Sequence, residues 1–150
     1  MTDRQTEMDI SLVLDPAPAD EKAVLDGLRS YNEAAGGPSG HQPMAVLLKD
    51  DSGQTVGGLT GRAIYDWLFI SLLHIPETYR GQGVGTKLMA RAEAFARDRG
   101  LAGIWLDTYD FQARGFYEKL GFKVFGTIDG HPRGGARYFL EKRLTPSPSN

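Results

Sequence analysis

Between Ile75 and Gly85 the chain reads Ile-Pro-Glu-Thr-Tyr-Arg-Gly-Gln-Gly-Val-Gly, where the apolar run Trp67–Ile75 gives way to a helical pattern. One arginine, Arg80, and three glycines, Gly81, Gly83 and Gly85, therefore stand where a strand hands over to a helix. Glycines let the backbone turn tightly and let a ligand come close. The N–H groups that open a helix have no partner within it, and the positive end of the helix dipole lies there, so phosphate is favoured. The chemistry expected at this turn is the holding of a phosphorylated cofactor.

Spacing narrows the kind of phosphate binder. A P-loop needs Gly-x-x-x-x-Gly-Lys-Ser/Thr, whereas Gly85 is followed by Thr86 and only then Lys87. The dinucleotide fingerprint Gly-x-Gly-x-x-Gly fails at its third glycine, which falls on Thr86 or Leu88, and the segment lies mid-chain. What fits is Arg-x-x-Gly-x-Gly, as Arg80, Gly83 and Gly85. In this the chain resembles the GNAT superfamily of acetyl-CoA-dependent N-acetyltransferases, whose pyrophosphate loop follows a bulged strand with that pattern. A second segment, Asp110–Phe122, reads as a short helix: Asp110 is a candidate N-cap, and Ala113, Phe116, Tyr117 and Leu120 recur on one face. Gly121 fits the residue that ends it. Ala113, Tyr117, Gly121 and Phe122 match the family's Ala-x-x-x-Tyr-x-x-x-Gly-Phe, with Asp110 standing where the family often has Asn. The resemblance runs from Asp66 to Leu144.

The resemblance implies acetyl transfer from acetyl-CoA to an amine by direct attack in a ternary complex. Backbone groups from Leu73 to Ile75 would bond the pantetheine and the thioester oxygen, Leu73 serving as oxyanion donor. The loop of Arg80, Gly81, Gln82, Gly83, Val84, Gly85 and Thr86 would hold the pyrophosphate, with Asp110, Ala113, Phe116 and Tyr117 lining the cofactor's side. Tyr117 is the candidate general acid, since a phenol of pKa about 10 is protonated at neutral pH and can donate to a departing thiolate. For the base, Asp66, His74, Glu77, Asp107 and Asp110 all lie near the expected cleft, Asp107 and Asp110 being favoured as an acidic turn that would attract an ammonium. Tyr31, Trp67, Tyr109, His131 and Arg133 are candidates to line the acceptor site. The acceptor expected is a small amine. A non-catalytic acyl-CoA sensor, or an enzyme acting on a protein or tRNA amine, are the alternatives, and a homodimer is left open.

These residues need elements to position them. The resemblance implies an α/β fold with a central mixed, mostly antiparallel sheet of about seven strands flanked by three to four helices. From the pattern, Asp9–Leu14 is expected as a strand and Asp20–Ala35 as a helix capped by Asp20, with Ala23, Val24, Leu28 and Tyr31 inward. Gly36–Gly40 breaks the chain. Met44–Lys49 and Gln54–Ile64 read as strands about a turn at Asp50–Gly53, and Trp67–Ile75 as the central strand. Val84–Arg99 is a helix with Val84, Leu88, Ala92, Phe95 and Ala96 inward, closed by Gly100. Ile104–Thr108, Phe122–Thr127 and Ala136–Lys142 supply the last strands, and Thr145–Asn150 a disordered tail.

Composition sets the outer bounds. At 150 residues the chain is expected to be one domain, residues 1–144, with a core of its own. Seventeen basic against nineteen acidic residues give a net charge of −2, so neither nucleic acid nor an anionic membrane is an expected partner. The absence of cysteine removes disulfides, thiolate metal sites and an acetyl-cysteine intermediate. His41, His74 and His131 have no ligand spacing, so no metal is expected. Asp3, Arg4 and Glu7 interrupt any signal-peptide core, and Trp67–Ile75 is too short to span a bilayer, which makes a cytoplasmic location the expectation.

Overall fold

In the computed structural model, which describes residues 8–144, the chain divides into two units, residues 1–39 and 40–150. Among its described residues the first holds one helix, α1 (Pro18–Gly36). It starts before Asp20 because Pro18 occupies its opening turn, where a fixed φ and a missing N–H cost nothing. Ala17 is the cap residue in place of Asp20, and Asp20 and Glu21 lie in the first turn beside the positive end of the dipole. No residue of α1 is buried; Val24, Leu28 and Tyr31 of the expected inward stripe are 74%, 55% and 70% exposed. Asp9–Leu14 is irregular rather than a strand, because β-structure needs a neighbour's ladder and this segment joins none.

The second unit is built on a six-stranded sheet, one fewer than expected for that reason, in the order β1-β2-β3-β4-β6-β5. Its strands are β1 (Gln42–Lys49), β2 (Thr55–Ile64), β3 (Trp67–His74), β4 (Gly103–Tyr109), β5 (Lys123–Asp129) and β6 (Ala136–Arg143). All neighbours are antiparallel except β3 and β4. That parallel pair requires a crossover, supplied by α2 (Val84–Asp98); a shorter helix, α3 (Arg114–Lys119), follows β4. The β1–β2 turn is held by Asp50, whose Oδ1 accepts bonds from Ser52 N (2.9 Å), Ser52 Oγ (2.6 Å) and Gln54 N (3.0 Å). The expected tail, residues 145–150, lies outside the described residues.

The core follows the alternation of β4. Ile104 and Leu106 face α2 and are 1% exposed, and Leu68, Ile70, Leu59 and Leu140 join them from neighbouring strands. From α2 come Leu88, Met89, Ala92 and Ala96, with Gly85 also buried; Val84 and Phe95 of the expected stripe are partly buried. Each of the larger aliphatic side chains contributes ~1.5–3 kcal/mol on burial. The alternate residues of β4, Trp105, Asp107 and Tyr109, point to the opposite face. Arg114 of α3 stacks over Tyr138 at 4.5 Å, and Tyr138 pairs with Thr108. So α2 and α3 share one face, and Asp107 and Tyr109 look out from the other.

Candidate active site

Two left-handed residues shape the turn that enters α2. Gly81 has φ of 77° and Gly83 has φ of 74°, a region that a side chain strains. Gly83 is the cap residue of α2, so no side chain satisfies the first N–H groups, and the first turn contains no acidic residue. The N–H groups of Val84, Gly85 and Thr86 are left to an outside acceptor. Arg80 closes the loop, its Nε donating to Ile75 O at 2.9 Å, and Gln82 Nε2 donates to Thr78 O at 3.1 Å. Gly85 has a second constraint. A Cβ there would come 3.0 Å from Ile75 Cδ1 and 3.0 Å from Phe116 Cζ, so its small size lets α2, α3 and the end of β3 meet.

Beside this turn the central strands part. β3 and β4 pair from Trp67–Gly103 to Ile70–Leu106 and no further, although both strands run on. The cause lies in β3. Thr60 faces Leu72 while Gly61 faces Ile70, leaving Ser71 as the extra residue of a bulge. The Ser71 hydroxyl donates to Thr60 O at 3.2 Å, which keeps the bulge tied to β2. Beyond it, Leu73 and Ile75 are half-buried and the backbone between them has no β4 partner. Their side chains pack against the core while their main chain borders the gap.

Tyr117 reaches this region from α3. It is 8% exposed and lies edge-on to Phe116 and Phe122, with centroids 5.1 and 6.1 Å away. Burial pushes its phenol up to about 12, and the Asp107 carboxylate adds to the rise. No hydrogen-bond partner is found for its hydroxyl among the described residues. Ala113, exposed, is the cap residue of α3. Asp110 is not a cap, because α3 begins later than the pattern suggested and no side chain caps it. Instead its N–H donates to Ala136 O (2.9 Å) and its carboxylate packs against Gly135.

On the opposite face β4 and the β5–β6 turn form one cluster. Asp107 pairs with Arg137, Nη2 to Oδ1 at 2.8 Å. Tyr109 stacks on Phe111 at 5.4 Å and meets the edge of His131 at 5.3 Å. Trp67 is not part of this cluster. It stands at the far end of β3 from the glycine turn, ~20 Å along a strand of that length, under the Arg143 guanidinium. Tyr31 belongs to the other unit. His74, Glu77 and Arg133 are exposed, and Asp66 O accepts a bond from Ala102 N at the end of β3 remote from the turn.

Two residues escaped the sequence reading. Arg137 gave no signal beyond its place in an alternating strand. Gln112 accepts bonds through Oε1 from Tyr109 N (2.7 Å) and Thr108 Oγ1 (3.0 Å), capping the end of β4. It lies four positions after Thr108, too far for the Asx-type patterns that mark such turns. Among the described residues no group of His, Asp and Glu is clustered to hold a metal ion.

The chain is similar in sequence and fold to known proteins. A family model described as the acetyltransferase (GNAT) family matches residues 12–122. The acetyltransferase Atu2258 of Agrobacterium fabrum is 39% identical over 124 residues, covering 83% of this chain and 90% of its own. The blasticidin-S acetyltransferase of Streptomyces morookaense is 40% identical over 101 residues, 67% of this chain and 74% of its own. A crystal structure from Agrobacterium tumefaciens, assigned as an acetyltransferase, superposes with a TM-score of 0.87 at 36% identity, over 91% of this chain and 100% of that one. Sequence and sheet topology agree over most of the length, and the chain belongs to the acetyltransferase (GNAT) family and is an acetyltransferase.

Proposed function

We propose that this acetyltransferase moves the acetyl group of acetyl-CoA directly to the primary amine of a small molecule, both substrates being held at once. One observation carries the reading: β3 and β4 separate after Ile70–Leu106, next to a glycine turn with free N–H groups on one side and a buried tyrosine on the other. The uncapped first turn of α2 suits a pyrophosphate, and acetyl-CoA when bound supplies an activated thioester. Backbone N–H groups between Leu73 and Ile75 meet the thioester oxygen as negative charge develops on it, an effect worth ~3–4 kcal/mol per donor. Ala113, Phe116 and Asp110 flank the cofactor, and Tyr117 keeps a proton for the departing thiolate.

The acceptor enters from the face of Asp107, Tyr109 and His131. It must arrive at the gap as a neutral amine, which at pH 7 costs about 4–5 kcal/mol for an alkylammonium of pKa ~10.4. A relative named blasticidin-S acetyltransferase favours a small-molecule acceptor. The test is incubation with acetyl-CoA and ethanolamine, putrescine, lysine or blasticidin S, following thiol release and the mass of the product. At least one amine should gain an acetyl group. Transfer to a protein N-terminus with none to these amines would reject the small-molecule reading, and failure to bind CoA in calorimetry would reject the whole.

A further inference from the structure

Asp107 uses only half of its carboxylate inside the protein. Arg137 meets one oxygen only, Oδ1, its Nε donating a hydrogen bond at 3.0 Å and its Nη2 making an ion-pair contact at 2.8 Å. Oδ2 has no hydrogen-bond partner among the described residues. No fully buried side-chain N or O atom among them lacks one, so Oδ2 retains some exposure on a side chain that is 18% exposed. The arginine is itself clamped, its guanidinium 5.4 Å from the Tyr109 ring and 5.1 Å from the Phe139 ring. In the β4–β6 register Asp107 faces Phe139 and Tyr109 faces Arg137, so the ion pair runs diagonally across the ladder. Asp107 is also the first residue beyond Leu106, the last rung before β3 and β4 part.

We propose that Arg137 is a positioning residue for the acceptor: it holds Asp107 by Oδ1 so that Oδ2 faces the gap and accepts a hydrogen bond from the acceptor's amine N–H. This rests on the amine-acetyltransferase reading above. Asp107 orients the amine through this hydrogen bond. A primary amine suits the arrangement, since one N–H is held by Oδ2 while the lone pair points to the thioester carbon. Both strands must be in register for this, because neither Asp107 nor Arg137 alone fixes the direction of Oδ2.

The test compares Arg137→Met and Arg137→Lys with the parent chain, using the fastest acceptor among ethanolamine, putrescine, lysine and blasticidin S. Arg137→Met should raise the acceptor KM about tenfold or more, the value of one charge-assisted hydrogen bond. The acetyl-CoA KM should stay within about twofold and kcat at saturating acceptor should fall less than KM rises. Arg137→Lys, keeping the charge but not the fork, should recover part of the acceptor KM. Thermal melts identify a variant that is merely unstable, in which both KM values move together. Unchanged acceptor KM in both variants, or equal effects on both substrates, overturns the proposal. If the parent chain acetylates no amine at all, this inference falls together with the function it rests on.

Discussion

Nothing in the ordinary pH range removes the Tyr117 proton. Its phenol, raised to about 12 by burial and then by Asp107, stays protonated wherever the enzyme works. Tyr117→Phe keeps the ring against Phe116 and Phe122 and deletes only the hydroxyl. On the proposed mechanism turnover should fall by about 10²–10⁴ while CoA affinity holds; unchanged turnover with chemistry rate-limiting would make Tyr117 a packing residue. The same hydroxyl has a second signature. The unfolded chain ionises near the reference value of about 10 while the folded chain resists until about 12, so stability present below pH ~10 is lost as pH rises through that window. The loss should approach about 2–3 kcal/mol at its upper end. Denaturant midpoints taken at about pH 9 and about pH 11.5 should converge in Tyr117→Phe, relative to the parent chain, if this residue is the source. Tyr117 was legible as a candidate because its neighbours Ala113, Gly121 and Phe122 share its motif. Arg137 was not, since a diagonal ion pair depends on which strands become neighbours.

At the scale of elements, the helix that follows the glycine turn was legible to within a residue, and so was the strand before it. Their signals are local: apolar periodicity, and glycines that tolerate positive φ. Asp9–Leu14 failed for the opposite reason, because alternation makes a strand only where another strand offers its edge. Asp110 failed as a cap because Gln112 takes over the turn after β4, delaying α3 to Arg114. The Ser71 bulge has no residue-type signature at all. The turn into α2 yields a controlled comparison. A Cβ at Gly81 or at Gly83 meets open space, and both have nearly the same positive φ, so alanine strains each by about 1–2 kcal/mol. Only Gly83 caps α2 next to the free N–H groups. Calorimetry with CoA should therefore show Gly83→Ala weakened well beyond Gly81→Ala; equal losses would mean that the strain of the loop, not access to the helix start, limits binding. Gly85→Ala should instead act on the fold, lowering stability by ~1–3 kcal/mol as Ile75 and Phe116 are pushed aside.

At the scale of the second unit as a whole, the sheet acts as a partition with one opening. α2, α3 and Tyr117 lie on one face, Asp107, Tyr109, His131 and Arg137 on the other, and the two groups approach each other where β3 and β4 have come apart. On the proposed reaction the cofactor's thioester comes from the first side and the amine from the second, so the bond is made in the gap with both present. A route through an acetylated protein is disfavoured by the same layout: the chain has no cysteine, and on the proposed reaction thioester and amine reach the gap from opposite faces. Initial-rate patterns with both substrates varied should therefore intersect rather than run parallel. Incubation with acetyl-CoA alone should leave the intact mass unchanged. Parallel patterns together with a stoichiometric acetyl adduct that passes to amine on dilution would show that the two faces work in turn, and the gap would then be a channel for one substrate at a time.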